Sequence, residues 1–454
     1  MDKIKNFNLK ISLILFIAMF QLTFSQKKVF AYYPYWVTDT LPVEKIQFDR
    51  ITHLIHAFVK PDSLGNLKLE NNFINSSLNN TAHLNNVKIF ISVGGENQSE
   101  AFSKISQNEN LRENFATNIV NFILNNNYDG LDIDWEFPSN ENEKSGFAQL
   151  VQKIRNKFNA INPDLKISLA IPVTNFWGQW FDFENLKNTV DYFYLMAYHY
   201  HGWWNTHSGH NTPLYPTSGD NDGSIDESMA YMLNRSVPKN KLVLGTTFFG
   251  KIFYSTDLYA TNDSSKTISL FYKNIVDTIA SGNWNYFWDA VAKVPYLLSK
   301  SGNKFLTYDN PLSIAKKTEY VIDNNFGGIM IWALSYDLLS NDTQPMLTAI
   351  HDVMVNYTEI KSSEKLPAEF ELFSNYPNPF NPTTIIEYKI SEAAFVKLTV
   401  YNSIGQEVSR IVDEFQIPGH YKIKFDGSNL SSGVYFYCLQ SNNNIKTKSM
   451  ILQK

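Results

Sequence analysis

From residue 27 to about residue 335, short apolar runs alternate with polar stretches whose apolar residues recur at helical spacing, the pattern of repeated strand–helix units. Eight runs read as strands: VFAYY from Val29, ITHLIHAFV from Ile51, VKIFISV from Val87, DGLDIDWEF from Asp129, KISLAIPV from Lys166, DYFYLMAY from Asp191, KLVLGTTFF from Lys241 and GGIMIWAL from Gly327. Helical patterning fills intervals between them, as from Leu111 to Asn125 and from Gly146 to Phe158. Eight such units in roughly 300 residues predict an α/β fold, a closed parallel (β/α)8 barrel, with its functional rim at the C-terminal ends of the strands. The interval from Tyr254 to Asp309 exceeds a simple βα connection and predicts a small insertion between strands 7 and 8, residues 254–309, walling one side of that rim.

The pattern changes after about Asn356. A polar stretch, EIKSSEKLPAEFE, leads to a Pro and Asn cluster, NYPNPFNPTT, and then to alternating segments TIIEYKI, VKLTVYNSIGQEV, YKIKFDG and GVYFYCLQ. Period-2 alternation between turn residues predicts a small antiparallel β-sandwich. The expected organisation is a barrel over 26–355, a linker over 356–372 and a second domain over 373–454. Ahead of the barrel, Lys3, Lys5 and Lys10 precede an apolar run from Ile11 to Phe20, with Ser25 before Gln26. This predicts a cleaved export signal over 1–25. The run falls short of the ~20 residues a membrane span needs.

At 454 residues there is room for both domains, and 44% hydrophobic against 18% charged residues marks an ordinary globular chain. A net charge of -5 supplies no basic face, so nucleic acid is not an expected partner. The single cysteine, Cys438, excludes an intrachain disulfide and reads as a small apolar strand residue.

Chemistry concentrates in the fourth run, Asp129-Gly-Leu-Asp132-Ile-Asp134-Trp-Glu136. Alternate strand residues share a face, so Asp132, Asp134 and Glu136 point into the barrel while Leu131, Ile133 and Trp135 meet the helices. Asp129 has the opposite parity and reads as a structural hydrogen-bonding residue at the strand's start. Three carboxylates in a confined interior raise one another's pKa values, which forces proton sharing. Glu136, nearest the mouth, is the candidate proton donor.

This motif resembles D-x-x-D-x-D-x-E of glycoside hydrolase family 18, the chitinase family. Its other cues are Ser92-Val-Gly94-Gly95, Met196-Ala-Tyr198 and Trp332, each at a predicted strand end. The resemblance implies a secreted hydrolase of β-1,4-linked N-acetylglucosamine polymers, with chitin or chitooligosaccharides as substrate. It implies a retaining mechanism in which the substrate's acetamido carbonyl, not an enzyme group, attacks the anomeric carbon. Glu136 would be general acid and base, Asp134 would orient the acetamido group, Asp132 would share its proton, Tyr198 would bind the acetamido oxygen and Trp332 would floor the sugar. Met196, His199, Tyr33 and Trp36 are further expected substrate contacts; Trp177, Trp180, Trp203 and Trp204 serve either as sugar subsites or as packing. Two alternatives remain open on the same barrel: a chitin-binding lectin, whose kind typically lacks the Glu retained here, and an endo-β-N-acetylglucosaminidase acting on N-glycan cores.

Two positions depart from the family pattern: His199 stands where Asp or Asn is usual, and Phe249-Gly250-Lys251 where Tyr-Gly-Arg is usual. His199 is expected to titrate near neutrality and alter the pH profile. His199, His201, His207 and His210 cluster within twelve residues. H-x-H on a strand would place His199 and His201 together, but the spacing matches no specific ligand pattern, so no metal and no cofactor is expected. The C-terminal segment, through Tyr376-Pro-Asn-Pro-Phe380-Asn-Pro382, the GQEV turn and Ser432-Gly433-Val-Tyr435, resembles the type A sorting domain of type IX secretion systems. That implies the secretion machinery as a partner and a secreted or cell-surface destination. A carbohydrate-binding module is the competing reading of this domain.

Overall fold

The computed structural model describes residues 27–362, 369–391, 394–416, 419–441 and 444–454; the expected export signal lies outside them. All eight predicted runs are strands: β1 (Lys28–Pro34), β2 (His53–Pro61), β3 (Lys88–Gly94), β4 (Gly130–Asp134), β5 (Lys166–Ile171), β6 (Tyr192–Leu195), β7 (Leu242–Thr247) and β8 (Gly328–Trp332). Each pairs in parallel with its sequence neighbours, and β1 pairs with β8 as well as β2, which closes the barrel.

Strand alternation sorts side chains into two cores. Val29, Ala31 and Tyr33 of β1 face outward into the layer shared with the helices, beside Leu131, Ile133, Phe115, Phe147 and Ile154. Phe30 and Tyr32 face inward, where Ile55, Phe90, Tyr194, Val243 and Met330 fill the barrel. The interior is therefore packed rather than hollow. The surrounding helices start where the sequence offers caps. Asn108 accepts from the backbone of Asn110 and Leu111 before Glu109–Asn126, and Asn140 accepts from Glu143 N before Glu141–Ile161. Such caps contribute ~1 kcal/mol each. Phe115 is fully buried, and truncating such a residue to Ala costs ~3–5 kcal/mol.

The insertion is an antiparallel five-stranded sheet in the order Ile268–Phe271, Phe249–Phe253, Phe305–Thr307, Val294–Ser299, Trp284–Asp289, with one helix, Tyr272–Ala280. It begins at Phe249, ahead of the expected 254. The apolar run KLVLGTTFF carries no turn residue to mark the change of direction at Phe248. After it, helix Pro311–Asp323 opens on a capping box made by Asn310 and Ser313. The last helix, Pro345–Ser362, runs past the boundary expected at 355, because polar composition does not distinguish a helical turn from a linker.

Beyond residue 369 lie two antiparallel sheets, one of Glu371–Leu372, Thr383–Ile390 and Gly419–Asp426, the other of four strands from Ala394–Tyr401 to Asn444–Leu452. They enclose a separate core with Tyr388, Leu398 and Tyr437 at its centre. Cys438 is half-buried rather than fully inside. Among the described residues no helix is long and apolar enough to cross a membrane.

Candidate active site

The acidic row of β4 enters the barrel as its parity requires. Asp132 is fully buried and accepts three hydrogen bonds: from Tyr32 Oη at 2.7 Å, Ser92 Oγ at 2.6 Å and Ser168 Oγ at 2.8 Å. Burial nevertheless outweighs these donors and pushes its pKa up to about 6. Asp134 is 5% exposed, and its Oδ1 has no hydrogen-bond partner. Burial first, then the charges of Glu136, Asp132 and Glu96, hold its pKa well above the usual carboxylate range. Glu136, just past the strand end, is half-buried; burial and then the Glu96 charge push its pKa up to about 7. Glu136, the group nearest the mouth, thus has its pKa nearest neutrality and is placed to give or take a proton. Asp129 has the structural place its parity predicts: its carboxylate accepts from Lys88 Nζ, Ile89 N and His83 Nε2 at the start of the strand.

The pocket above the row is lined by Tyr32, Trp36, Phe58, Asp134, Glu136 and Met196, together with Tyr198, His199 and Trp332. Trp332 stacks on Phe58 with ring centroids 5.6 Å apart and meets Tyr32 edge-on at 5.3 Å, which fixes an apolar wall opposite the acids. Tyr198 stands over the row; burial first and then the charges of Glu136, Asp134 and Asp132 keep its hydroxyl protonated and able to donate. Trp36 is 47% exposed at the rim, where it can add a stacking surface. A second, shallow depression, on the C-terminal domain around Tyr401, Phe436 and Cys438, contains no carboxylate and offers no comparable chemistry.

One expected contact is misplaced. Tyr33 is 1% exposed on the outer face of β1, where its hydroxyl donates to Leu41 O at 2.7 Å, and it takes no part in the pocket. Its neighbour Tyr32 does, because alternation turns residues 30 and 32 inward. His199 lines the pocket as expected, but its titration differs from expectation. His199 is exposed by surface area, yet desolvation among its crowded neighbours and then the charge of Lys251 lower its pKa from the ordinary histidine value. Its backbone sits at φ 65°, a left-handed conformation in which Asn, Asp and His are the enriched non-glycine residues. The replacement therefore keeps a residue suited to the turn.

Several participants escape motif reading. Ser92 and Ser168 serve Asp132 directly, each donating its hydroxyl to the carboxylate. Glu96 follows Ser92-Val-Gly94-Gly95 immediately and joins Asp134 and Glu136 as a third carboxylate in the pocket wall. Gly94, at φ 111°, has no room for a side chain: a Cβ there would lie 2.2 Å from Asp134 O. That close approach lets Gly95 N donate to Asp134 O at 2.8 Å and ties β3 to the acidic strand.

Residues 28–337 match the family described as Glycosyl hydrolases family 18, and residues 374–453 match the Secretion system C-terminal sorting domain. The chain is 30% identical over 285 residues to Chitinase A1 of Niallia circulans, covering 56% of this chain and 41% of that protein. It is 28% identical over 306 residues to Sporulation-specific chitinase 2 of Saccharomyces cerevisiae, covering 61% and 59%. The chain thus spans less than two thirds of the length of these curated relatives. The structure of the Ostrinia furnacalis Group IV chitinase in complex with allosamidin aligns at a TM-score of 0.67 and 26% identity, over 73% of this chain and 99% of that one. With the family match extending over the whole barrel and its acidic strand, the chain belongs to glycosyl hydrolases family 18.

Proposed function

We propose that this protein is an exported chitinase that hydrolyses β-1,4-linked N-acetylglucosamine polymers with retention at the anomeric carbon. The observation that carries the reading is the row Asp132, Asp134, Glu136, raised in pKa by burial beneath an aromatic-walled pocket. The chitinases named among its relatives support the substrate class. The sorting domain supports export through a type IX system to the surface or beyond.

In the first half-reaction Glu136 gives its proton to the glycosidic oxygen, and the bond from that oxygen to the anomeric carbon breaks. The substrate's acetamido oxygen bonds to the same carbon, forming a cyclic oxazolinium. Asp134, its pKa raised by burial and then by the neighbouring carboxylates, is a suitable partner for the acetamido N–H: its unpartnered Oδ1 is a buried acceptor that costs ~1–3 kcal/mol until met. As positive charge develops, the Asp134 proton passes toward Asp132, already cradled by three hydroxyls. Tyr198 Oη donates to the acetamido oxygen, and Trp332 carries the apolar face of the sugar. Glu136, now ionised, takes a proton from water; the water oxygen bonds to the anomeric carbon as the bond from that carbon to the acetamido oxygen breaks, which restores the acetamide and releases the β-anomer.

The test is hydrolysis of a chitin oligosaccharide followed by NMR of the freshly released anomer, with Glu136→Gln alongside. The expected outcome is β-anomer from the wild type and a fall in kcat of roughly 10²–10⁴-fold in the variant. Binding without cleavage would transfer the chain to the lectin reading, and an undiminished rate in the variant would remove Glu136 from its role.

A further inference from the structure

We propose that His201, His207 and Asp222, with Asp220 beside them, form a divalent-cation site of the zinc class in the loop between β6 and helix Ile225–Asn234. The site is separate from the acidic row, and the inference does not depend on the glycosidase reading. Sequence spacing pairs His199 with His201; the structure instead sends His199 to the pocket and brings His207 to His201, with ring centroids 5.3 Å apart.

The argument rests on tautomers. His201 is fully buried, and its Nδ1 lies 2.9 Å from the carbonyl oxygen of His210. A carbonyl only accepts, so Nδ1 carries the proton, which leaves Nε2 as the atom free to bind a cation. The same holds for His207, whose Nδ1 lies 3.1 Å from Ser208 O. Both Nε2 atoms then converge on one carboxylate oxygen, Asp222 Oδ2, at 3.0 and 3.4 Å, and Asp220 Oδ1 is 3.4 Å from His201 Nε2. Despite these close oxygens, His201 Nε2 makes no hydrogen bond. An Nε2 lone pair facing carboxylate oxygens is repelled unless a proton or a metal cation lies between them.

A cation of the right size resolves the cluster. The candidate ligand atoms of His201, His207 and Asp222 all lie within 4.8 Å of one another. Tetrahedral zinc with bonds of ~2.0–2.1 Å separates its ligands by ~3.3 Å, close to the separations measured from Asp222 Oδ2. Imidazole nitrogens with a carboxylate, and no thiolate, suit Zn²⁺ and its late first-row neighbours rather than Ca²⁺ or Mg²⁺. The Nδ1–H bonds to backbone carbonyls are the kind of outer support that orients metal-ligating histidines. His207 and Asp222 are partly exposed, which leaves a path for the ion and a place for water.

The position suggests what the ion would fix. The carbonyl of His201 accepts from Lys251 Nζ at 2.6 Å, and that ammonium sits 4.8 Å from the centre of the Trp204 ring. His207 pairs in an isolated β-bridge with Thr261 of the insertion. A bound cation would therefore pin the loop bearing His199, Trp203 and Trp204 to the insertion at the pocket's edge.

The experiment strips the full chain with a chelator, exchanges it into metal-free buffer and adds Zn²⁺ alone. Retained metal is measured by mass spectrometry and thermal stability by melting. The expected result is one retained equivalent in the wild type and a Tm raised by several degrees, with affinity at least ~10-fold weaker in His207→Gln and in Asp222→Asn. His420→Gln, on the C-terminal domain, is expected to behave as wild type. Retention without a rise in Tm, or equal binding by wild type and His207→Gln, would assign the metal to surface histidines and overturn the site. No retention by the wild type would leave a protonated His201 paired with the two carboxylates and overturn it as well. Because the wild-type retention and melting shift decide by themselves, the test survives even if a variant folds poorly.

Discussion

Tyr32 and Tyr33 are adjacent in the chain, yet one donates to the acidic row and the other packs the shell. Parity along β1 would have separated them, because the inward set is fixed by Phe30. The same logic correctly placed Asp132, Asp134 and Glu136. Asp132 also yields a prediction about stability. Its folded pKa, about 6, lies above the ordinary carboxyl value of 3.8, so the native state holds the proton more tightly than the unfolded chain. The resulting stabilisation is fully present below the unfolded pKa and is lost as pH rises through about 6, a change of on the order of 3 kcal/mol. Asp132→Asn removes this titration, so the fall in Tm between about pH 4 and about pH 8 is expected to be smaller in the variant. An unchanged fall would show that Asp132 is already ionised in the folded protein. His199 could not be judged from sequence, since its ordinary pKa says nothing of the surround and of Lys251.

At the scale of elements, β3 and β4 work as one unit. Ser92 reaches Asp132, and Gly94 lets the two strand ends approach where any side chain would collide with Asp134 O. Gly94→Ala is expected to destabilise the protein by more than ~3 kcal/mol and to abolish hydrolysis, because the obstacle is backbone and cannot move aside. Gly302→Ala is the control: it has a positive φ of 73° but nothing within 4 Å, so only the ~1–2 kcal/mol of left-handed strain applies. If both variants melt alike, close approach at Gly94 has no special weight. The eight strands were legible as short apolar runs buried on both faces, and the main helices because each buries one periodic face. The start of the insertion at Phe249 and the end of the last helix at Ser362 were not, since nothing local in KLVLGTTFF or in the polar stretch after Asn356 marks those boundaries.

The whole molecule contains separate cores, one in the barrel and its helices and one between the C-terminal sheets. Domains with their own cores unfold as their own cooperative units. Calorimetry of the full chain is therefore expected to resolve two transitions. Leu398→Ala, fully buried in the C-terminal core, should cost ~2–5 kcal/mol in one of them and leave the other, together with hydrolysis, unchanged. A single transition that moves as a whole would show that the cores are thermodynamically joined.

The sequence by itself determined the eight-stranded barrel, the acidic row, its orientation and the change of domain, because short apolar runs alternate with helical stretches and strand parity divides each run between the barrel interior and the helix layer. Tertiary structure alone decided the rest. Which hydroxyls meet Asp132, how far burial and Glu96 raise the carboxyl pKa values, and which histidine faces His201 all depend on residues far apart in the chain. Their chemistry is set by the space between elements, and no local pattern measures that space.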